Sequence, residues 1–179
     1  MSADSSLWRA GWYNFAHHTP SPNFGPRPVG VRPDLVVIHS ISLPPGVYGG
    51  NQVQAFFTNQ LQTSEHPYFE SLRDVKVSSH FYIRRGGELL QFVSCDDRAW
   101  HAGVSTHAGR DNCNDFSIGI ELEGSDFEKF TDQQYQVLAK LTAALVVAHT
   151  LTDVRGHQHI APGRKTDPWH FVDNGFFRK

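Results

Sequence analysis

The sequence predicts an α/β domain, with a mixed sheet of four to six strands, helices packed on it and long loops at one rim. Three observations carry that expectation. The run Leu35, Val36, Val37, Ile38, His39, Ser40 is apolar, rich in β-branched residues and too short for a helix. In residues 117–123, Ile118, Ile120 and Leu122 fall on one face of a strand, and Gly119, Glu121 and Glu123 on the other. From Thr131 to about His149, Tyr135, Leu138, Leu141, Leu145 and Val146 recur at helical spacing behind a Thr131–Gln134 capping box.

The remaining elements follow in chain order. Residues 1–33 carry Pro20, Pro22, Pro26, Pro28 and Pro33, which favour an extended wrap with short turns over a helix or a central strand. After the His39 strand, Leu43, Pro44, Pro45 and Gly46 open a loop that runs to Gly50. Asn51 is placed to cap a helix reaching about Leu61, with Val53, Phe56, Phe57 and Leu61 on its core face. A second loop holds His66, Pro67, Tyr68 and Phe69. Residues 77–83 and 88–93, joined through Gly86 and Gly87, read as a hairpin. No internal repeat or low-complexity linker divides the chain, so residues 1–179 are expected to form a single domain.

Composition narrows the function classes. A hydrophobic content of 39% and a charged content of 19% describe a globular chain, and no apolar run approaches the roughly 20 residues that span a bilayer. The net charge is -2 with acids and bases interspersed, which leaves no basic stripe for nucleic acid. The first residues lack the basic and apolar regions of a secretory signal. Cys95 and Cys113 have no CxxC spacing and read as reduced thiols. A cytoplasmic protein with no membrane or nucleic-acid partner is the expectation.

His39, at the mouth of a buried strand, gains partners near the other end of the chain. With His157 and Asp167 it supplies two imidazoles and a carboxylate, a set suited to Zn²⁺ with one position left open. His157 with His159 is a competing pair, because alternate residues of a strand share a face; Pro162 and Gly163 argue that any such strand is short. His80 and His101 are further candidates, His80 as a sheet cap and His101, beside Trp100, as a pocket residue. Glu121, opposite three apolar neighbours, is the acid best placed to serve as a general base, and Glu123 is its control as a solvated strand glutamate. Lys165, two residues before Asp167, could stabilise an oxyanion. No phosphate-binding glycine loop or GxSxG elbow is present, and neither cysteine has a neighbouring base.

Four stretches together resemble the zinc-dependent N-acetylmuramoyl-L-alanine amidases of the type-2 fold, which is shared with peptidoglycan recognition proteins. They are residues 37–46 around His39, residues 98–105 around Trp100 and His101, residues 113–124 around Glu121, and residues 157–168. The similarity runs from about Trp12 to Pro168 and extends to the cytoplasmic members that act on anhydro-muropeptides in cell-wall recycling. It implies His39, His157 and Asp167 as zinc ligands, Glu121 as the acid that activates water and Lys165 as the cation near the scissile carbonyl. The implied substrate bond joins the lactyl group of anhydro-N-acetylmuramic acid to L-alanine of the stem peptide. Trp100 and His101 would then line the substrate site, Trp100 as a stacking surface, and Lys76 would meet a substrate carboxylate.

The sequence also departs from that family. Ser40 stands where asparagine is expected, and Lys76 and Asn112 where arginine is expected. Lysine lacks the bidentate fork of arginine, so these positions would alter peptide or sugar preference while the chemistry survives. The alternatives are an exported or lytic amidase acting on intact peptidoglycan, and a binding module of the same fold without catalysis.

Overall fold

The structure, a computed structural model, describes residues 7–168. Residues 1–6 and 169–179 lie outside the described residues. Alternation and β-branching in the two central runs produce two seven-residue strands, Leu35–Ile41 and Ser117–Glu123, paired in parallel. Around them a six-stranded mixed sheet is built in the order Asp153–Gly156, Leu35–Ile41, Ser117–Glu123, Phe81–Ile83, Leu89–Gln91, His17–His18. The first four strands run parallel, and Phe81–Ile83 pairs antiparallel with Leu89–Gln91 through the turn at Gly86 and Gly87. The expected hairpin is present, with shorter strands than the apolar runs suggest.

One face of the sheet is dry. Val36, Ile38, Ile118, Ile120, Leu122, Phe81 and Ile83 pack against Leu138, Leu141, Ala144 and Leu145 of the helix Asp132–Ala148. Thr131 and Gln134 form the predicted capping box at its start. Val146, expected on the core face, is 54% exposed, and Ala144 takes the buried position. The other face carries short helices and loops. There Val53, Phe56 and Phe57 pack with Phe69, Tyr82, Leu90 and Phe92.

The helix that begins after Asn51 is Gln52–Phe57, shorter than predicted, and Asn51 makes no side-chain cap bond. Thr58 turns its hydroxyl back to the Gln54 carbonyl, and Asn59 takes a left-handed φ of 59°, which ends the helix before Leu61. Glu123 is not solvated either. It is 3% exposed, with its two carboxylate oxygens accepting from the backbone N–H groups of Gly49 and Arg85. It pins two loops to the sheet, so it cannot serve as a solvated control for Glu121. Among the described residues no helix is long and apolar enough to cross a membrane.

Candidate metal centre and cleft

Three adjacent parallel strands deliver side chains to one rim. His39 lies directly opposite Glu121 in the strand register, and Gly156 pairs with Ile38, so His157 follows one step on and level with His39. Strands lie about 4.8 Å apart, so the row Glu121, His39, His157 is set by backbone pairing before any side chain is oriented.

Asp167 reaches this row by a tight return of the chain. The backbone N–H groups of Arg164 and Lys165 both donate to the Ala161 carbonyl, and Gln158 N–H donates to the Asp167 carbonyl at 3.0 Å. Glycine at 156 permits the approach, since a β-carbon there would stand 2.7 Å from Pro168 Cδ. His157 begins the four-residue helix His157–Ile160, which decides between the two histidine pairs. In a helix, residues two apart diverge by about 200°, so His159 turns away. It is exposed, and its Nδ1 accepts from Gly156 N–H.

His39 Nδ1, His157 Nδ1 and Asp167 Oδ2 form a triangle with edges of 3.0, 3.2 and 3.3 Å. Ligands held at about 2.0–2.1 Å around a tetrahedral zinc lie about 3.3 Å apart, so the spacing fits that ion. The far ring nitrogens explain why bare lone pairs face inward. His157 Nε2–H donates to the Ala102 carbonyl at 3.1 Å, and His39 Nε2 faces His101 Nδ1 at 2.9 Å. Each ring therefore carries its proton away from the triangle and presents Nδ1 to it. Burial, the largest influence, lowers the His39 pKa to about 4, which keeps this ring neutral. Asp167 is held well below the usual carboxylate range: burial opposes this, and the close contacts of its Oδ2 with His157 and His39 outweigh it.

Glu121 is 8% exposed, and its Oε2 has no hydrogen-bond partner. Burial raises its pKa well above the ordinary carboxyl value, the charge of Asp167 adds to the rise, and Lys165 opposes it. A buried carboxyl with a free oxygen beside a three-ligand set is suited to taking up and returning a proton.

These groups line a cleft of about 470 Å³ together with Ser40, Trp100, Lys165, Tyr68 and Phe127. Ser40 and Trp100 are half-buried in its wall, and Lys165 is exposed at it. His101 borders the cleft but is only 9% exposed, and both its ring nitrogens are engaged by His39 and Ser117, which leaves no polar atom for a substrate contact. Lys76 is exposed and lines, with Asn59 and Arg73, a depression of about 90 Å³ that shares Phe56, Leu72 and Val75 with the cleft. Asn112 also lies off the cleft, in a left-handed turn (φ 56°) before the short helix Cys113–Asp115. His80 does more than cap the sheet. It is fully buried, accepts from Gly119 N–H through Nδ1 and donates through Nε2 to the Asp97 carbonyl.

Phe127 is 90% exposed at the cleft rim and escaped the sequence reading, because a lone aromatic in a polar loop has no periodic signal. A second groove, of about 620 Å³, runs along Leu138, Ala139, Thr142 and Val154; Asp153 is the one titratable residue lining it.

Residues 29–170 match the family model for N-acetylmuramoyl-L-alanine amidase. The chain belongs to this amidase family. Within it, the chain is 49% identical over 170 residues to the 1,6-anhydro-N-acetylmuramyl-L-alanine amidase AmpD of Citrobacter freundii, covering 94% of this chain and 91% of that one. A crystal structure of a selenomethionine AmpD derivative superposes with a TM-score of 0.89 at 50% identity, covering 90% and 92% of the two chains. The amidase AmiD of Escherichia coli, solved with anhydro-N-acetylmuramic acid-L-Ala-D-γ-Glu-L-Lys, matches at a TM-score of 0.55 and 25% identity, over 83% of this chain and 60% of that one.

Proposed function

We propose that this protein is a zinc-dependent amidase of peptidoglycan recycling. It hydrolyses the amide between the lactyl group of anhydro-N-acetylmuramic acid and L-alanine of the stem peptide. The observation that carries the reading is the triangle of His39 Nδ1, His157 Nδ1 and Asp167 Oδ2 beside the unpartnered buried carboxyl of Glu121. The AmpD relatives are named for the same anhydro substrate, and the AmiD complex holds it. The reading treats residues 1–179 as one catalytic domain, and the buried free thiols of Cys95 and Cys113 suit a cytoplasmic setting.

In this reading His39, His157 and Asp167 hold the ion. Zinc bound there supplies Lewis acidity, acidifying water and polarising the scissile carbonyl. Glu121 accepts the proton of the attacking water, which its raised proton affinity favours. The Lys165 ammonium, at the cleft wall, offsets the negative charge that develops on the carbonyl oxygen. Glu121 then returns the proton to the departing alanine nitrogen, which completes the hydrolysis and restores the free carboxylate. Trp100 and Ser40 contact the sugar and the first peptide residues from the cleft wall.

The test is mass spectrometry of products from anhydro-muropeptides and, in parallel, from intact sacculi, each with and without a chelator. Chelator-sensitive release of stem peptide from the anhydro-muropeptides alone is expected. Equal release from sacculi would make the protein a lytic amidase, and no release from zinc-loaded protein would leave a binding module.

A further inference from the structure

Resting on the zinc reading of the site, the structure assigns a positioning role to the two-residue segment His101–Ala102: it fixes the ring tautomers of both histidine ligands from outside the metal triangle. His101 acts through its side chain and Ala102 through its carbonyl.

The hydrogen bonds form a directed chain. Ser117 Oγ–H donates to the Cys113 carbonyl, which leaves Ser117 Oγ to accept from His101 Nε2 at 3.2 Å. His101 thus has its proton on Nε2 and a bare Nδ1, which accepts from His39 Nε2–H at 2.9 Å. The remaining lone pair of His39, on Nδ1, is thereby aimed at the triangle. The Ala102 carbonyl does the same for His157 by accepting its Nε2–H at 3.1 Å. Were His101 to flip tautomer, His39 would lose its acceptor and its inward lone pair would become a competing N–H.

Two independent features show that this arrangement is built. Asn114 Oδ1 accepts from the backbone N–H groups of both His101 and Ala102, at 3.0 and 2.8 Å, and so fixes the segment as a unit. Beneath the ring, the central strand carries Gly119. A β-carbon there would stand 2.6 Å from His101 Cγ, so the imidazole occupies a slot that only glycine leaves open. With both nitrogens engaged inside the protein, His101 has no polar atom left for substrate, and the cleft senses it through His39.

The experiment compares zinc affinity, by competition with a chromophoric chelator, in metal-stripped wild type, His101→Phe and His101→Asn. Phenylalanine keeps a ring in the slot and removes the acceptor; asparagine returns an acceptor near the Nδ1 position. Loss of such an outer hydrogen bond costs 10–100-fold in metal affinity, so His101→Phe is expected to weaken zinc binding by about that factor. It is also expected to change the visible spectrum of the Co²⁺-loaded protein, while His101→Asn retains most of the affinity. Wild-type affinity in His101→Phe overturns this inference alone, whereas failure of the wild type to bind zinc overturns the metal reading beneath it. If His101→Phe does not fold, Ser117→Ala carries the test, because every ring is kept: weakened binding supports the chain of bonds and unchanged binding overturns it.

Discussion

Replacing Glu121 by glutamine separates catalysis from stability, and the structure gives the sign and scale of both effects. Glutamine keeps the shape of the side chain and removes its ability to take a proton, so turnover should fall by about 10²–10⁴-fold if Glu121 is the base. Stability should move the opposite way in the metal-free protein. Glu121 is 8% exposed with one oxygen unpartnered; a glutamine there leaves a polar atom equally unpartnered, so the two side chains differ in ionisation and not in that cost. Because burial raises its pKa, the folded protein at pH 7.5 must either hold a buried charge or bind a proton that the unfolded chain does not. This penalty is absent below the unfolded value of 4.5 and grows as pH rises from there through the folded value. Glu121→Gln removes that ionisation penalty and is therefore expected to stabilise the metal-free protein at pH 7.5 by about 1.4 kcal/mol for each unit by which the pKa is raised, with a rise in Tm of about 2–4 °C per kcal/mol for a chain of this size. The gain should vanish near pH 4 and shrink when zinc is bound, since a cation in the triangle favours the carboxylate. Thermal melts of stripped and loaded protein at the two pH values measure all of this. Equal melting of variant and wild type at pH 7.5 without metal would refute the buried-penalty argument, and unchanged turnover would remove Glu121 as the base.

Three further outcomes are expected. His157→Ala should abolish zinc retention after dialysis while His159→Ala keeps it, because the helix turns His159 out of the site; metal analysis of the two variants decides. Lys165→Ala should lower turnover by about 10²–10³-fold, in the range of other oxyanion donors, with zinc content unchanged, and wild-type kinetics would exclude its electrostatic role. Burial holds the His80 pKa at about 3, against an ordinary 6.5, so between those values the unfolded chain binds the extra proton and stability falls as pH falls. Its share is up to about 1.4 kcal/mol per pH unit, so urea unfolding of metal-free His80→Asn between pH 4.5 and 6.5 should show a shallower slope than wild type by about that amount, and parallel slopes would count against it.

The elements legible in the sequence were those whose pattern is repeated by local physics. The strand alternation of residues 117–123 and the capping box at Thr131 each state their structure within a few residues, and the structure contains both. The helix after Asn51 is shorter than its spacing predicts, because Leu61 keeps helical periodicity while the stop is made by the left-handed backbone of Asn59. Glu123 differs from its sequence pattern for a related reason. Alternation places it on the same face as Glu121, yet whether a strand carboxylate meets solvent depends on loops arriving from residues 49 and 85, far away in sequence. Resemblance alone makes Lys76 and Asn112 substrate-facing; neither lines the cleft, and Lys76 lines the depression beside it.

What spacing could not supply was the pairing of distant segments, and the site consists of little else. His39 and Glu121 are 82 positions apart and meet because two parallel strands share a register; His157 joins them through a third. All three side chains sit in the C-terminal half of, or just beyond, adjacent parallel strands, beside the crevice where open α/β sheets bind ligands. Crossover connections of parallel strands are long, so the loops that follow those ends are free to differ in composition without disturbing the row. That explains why the chemistry groups fall on rigid elements. Ser40, Trp100 and Phe127, which would meet the substrate, instead lie at a strand end or in the connecting loops around it. Substitutions at those positions should shift which muropeptides are accepted, while on the proposed mechanism the triangle and Glu121, placed by strand register, would still decide whether the amide is cut at all.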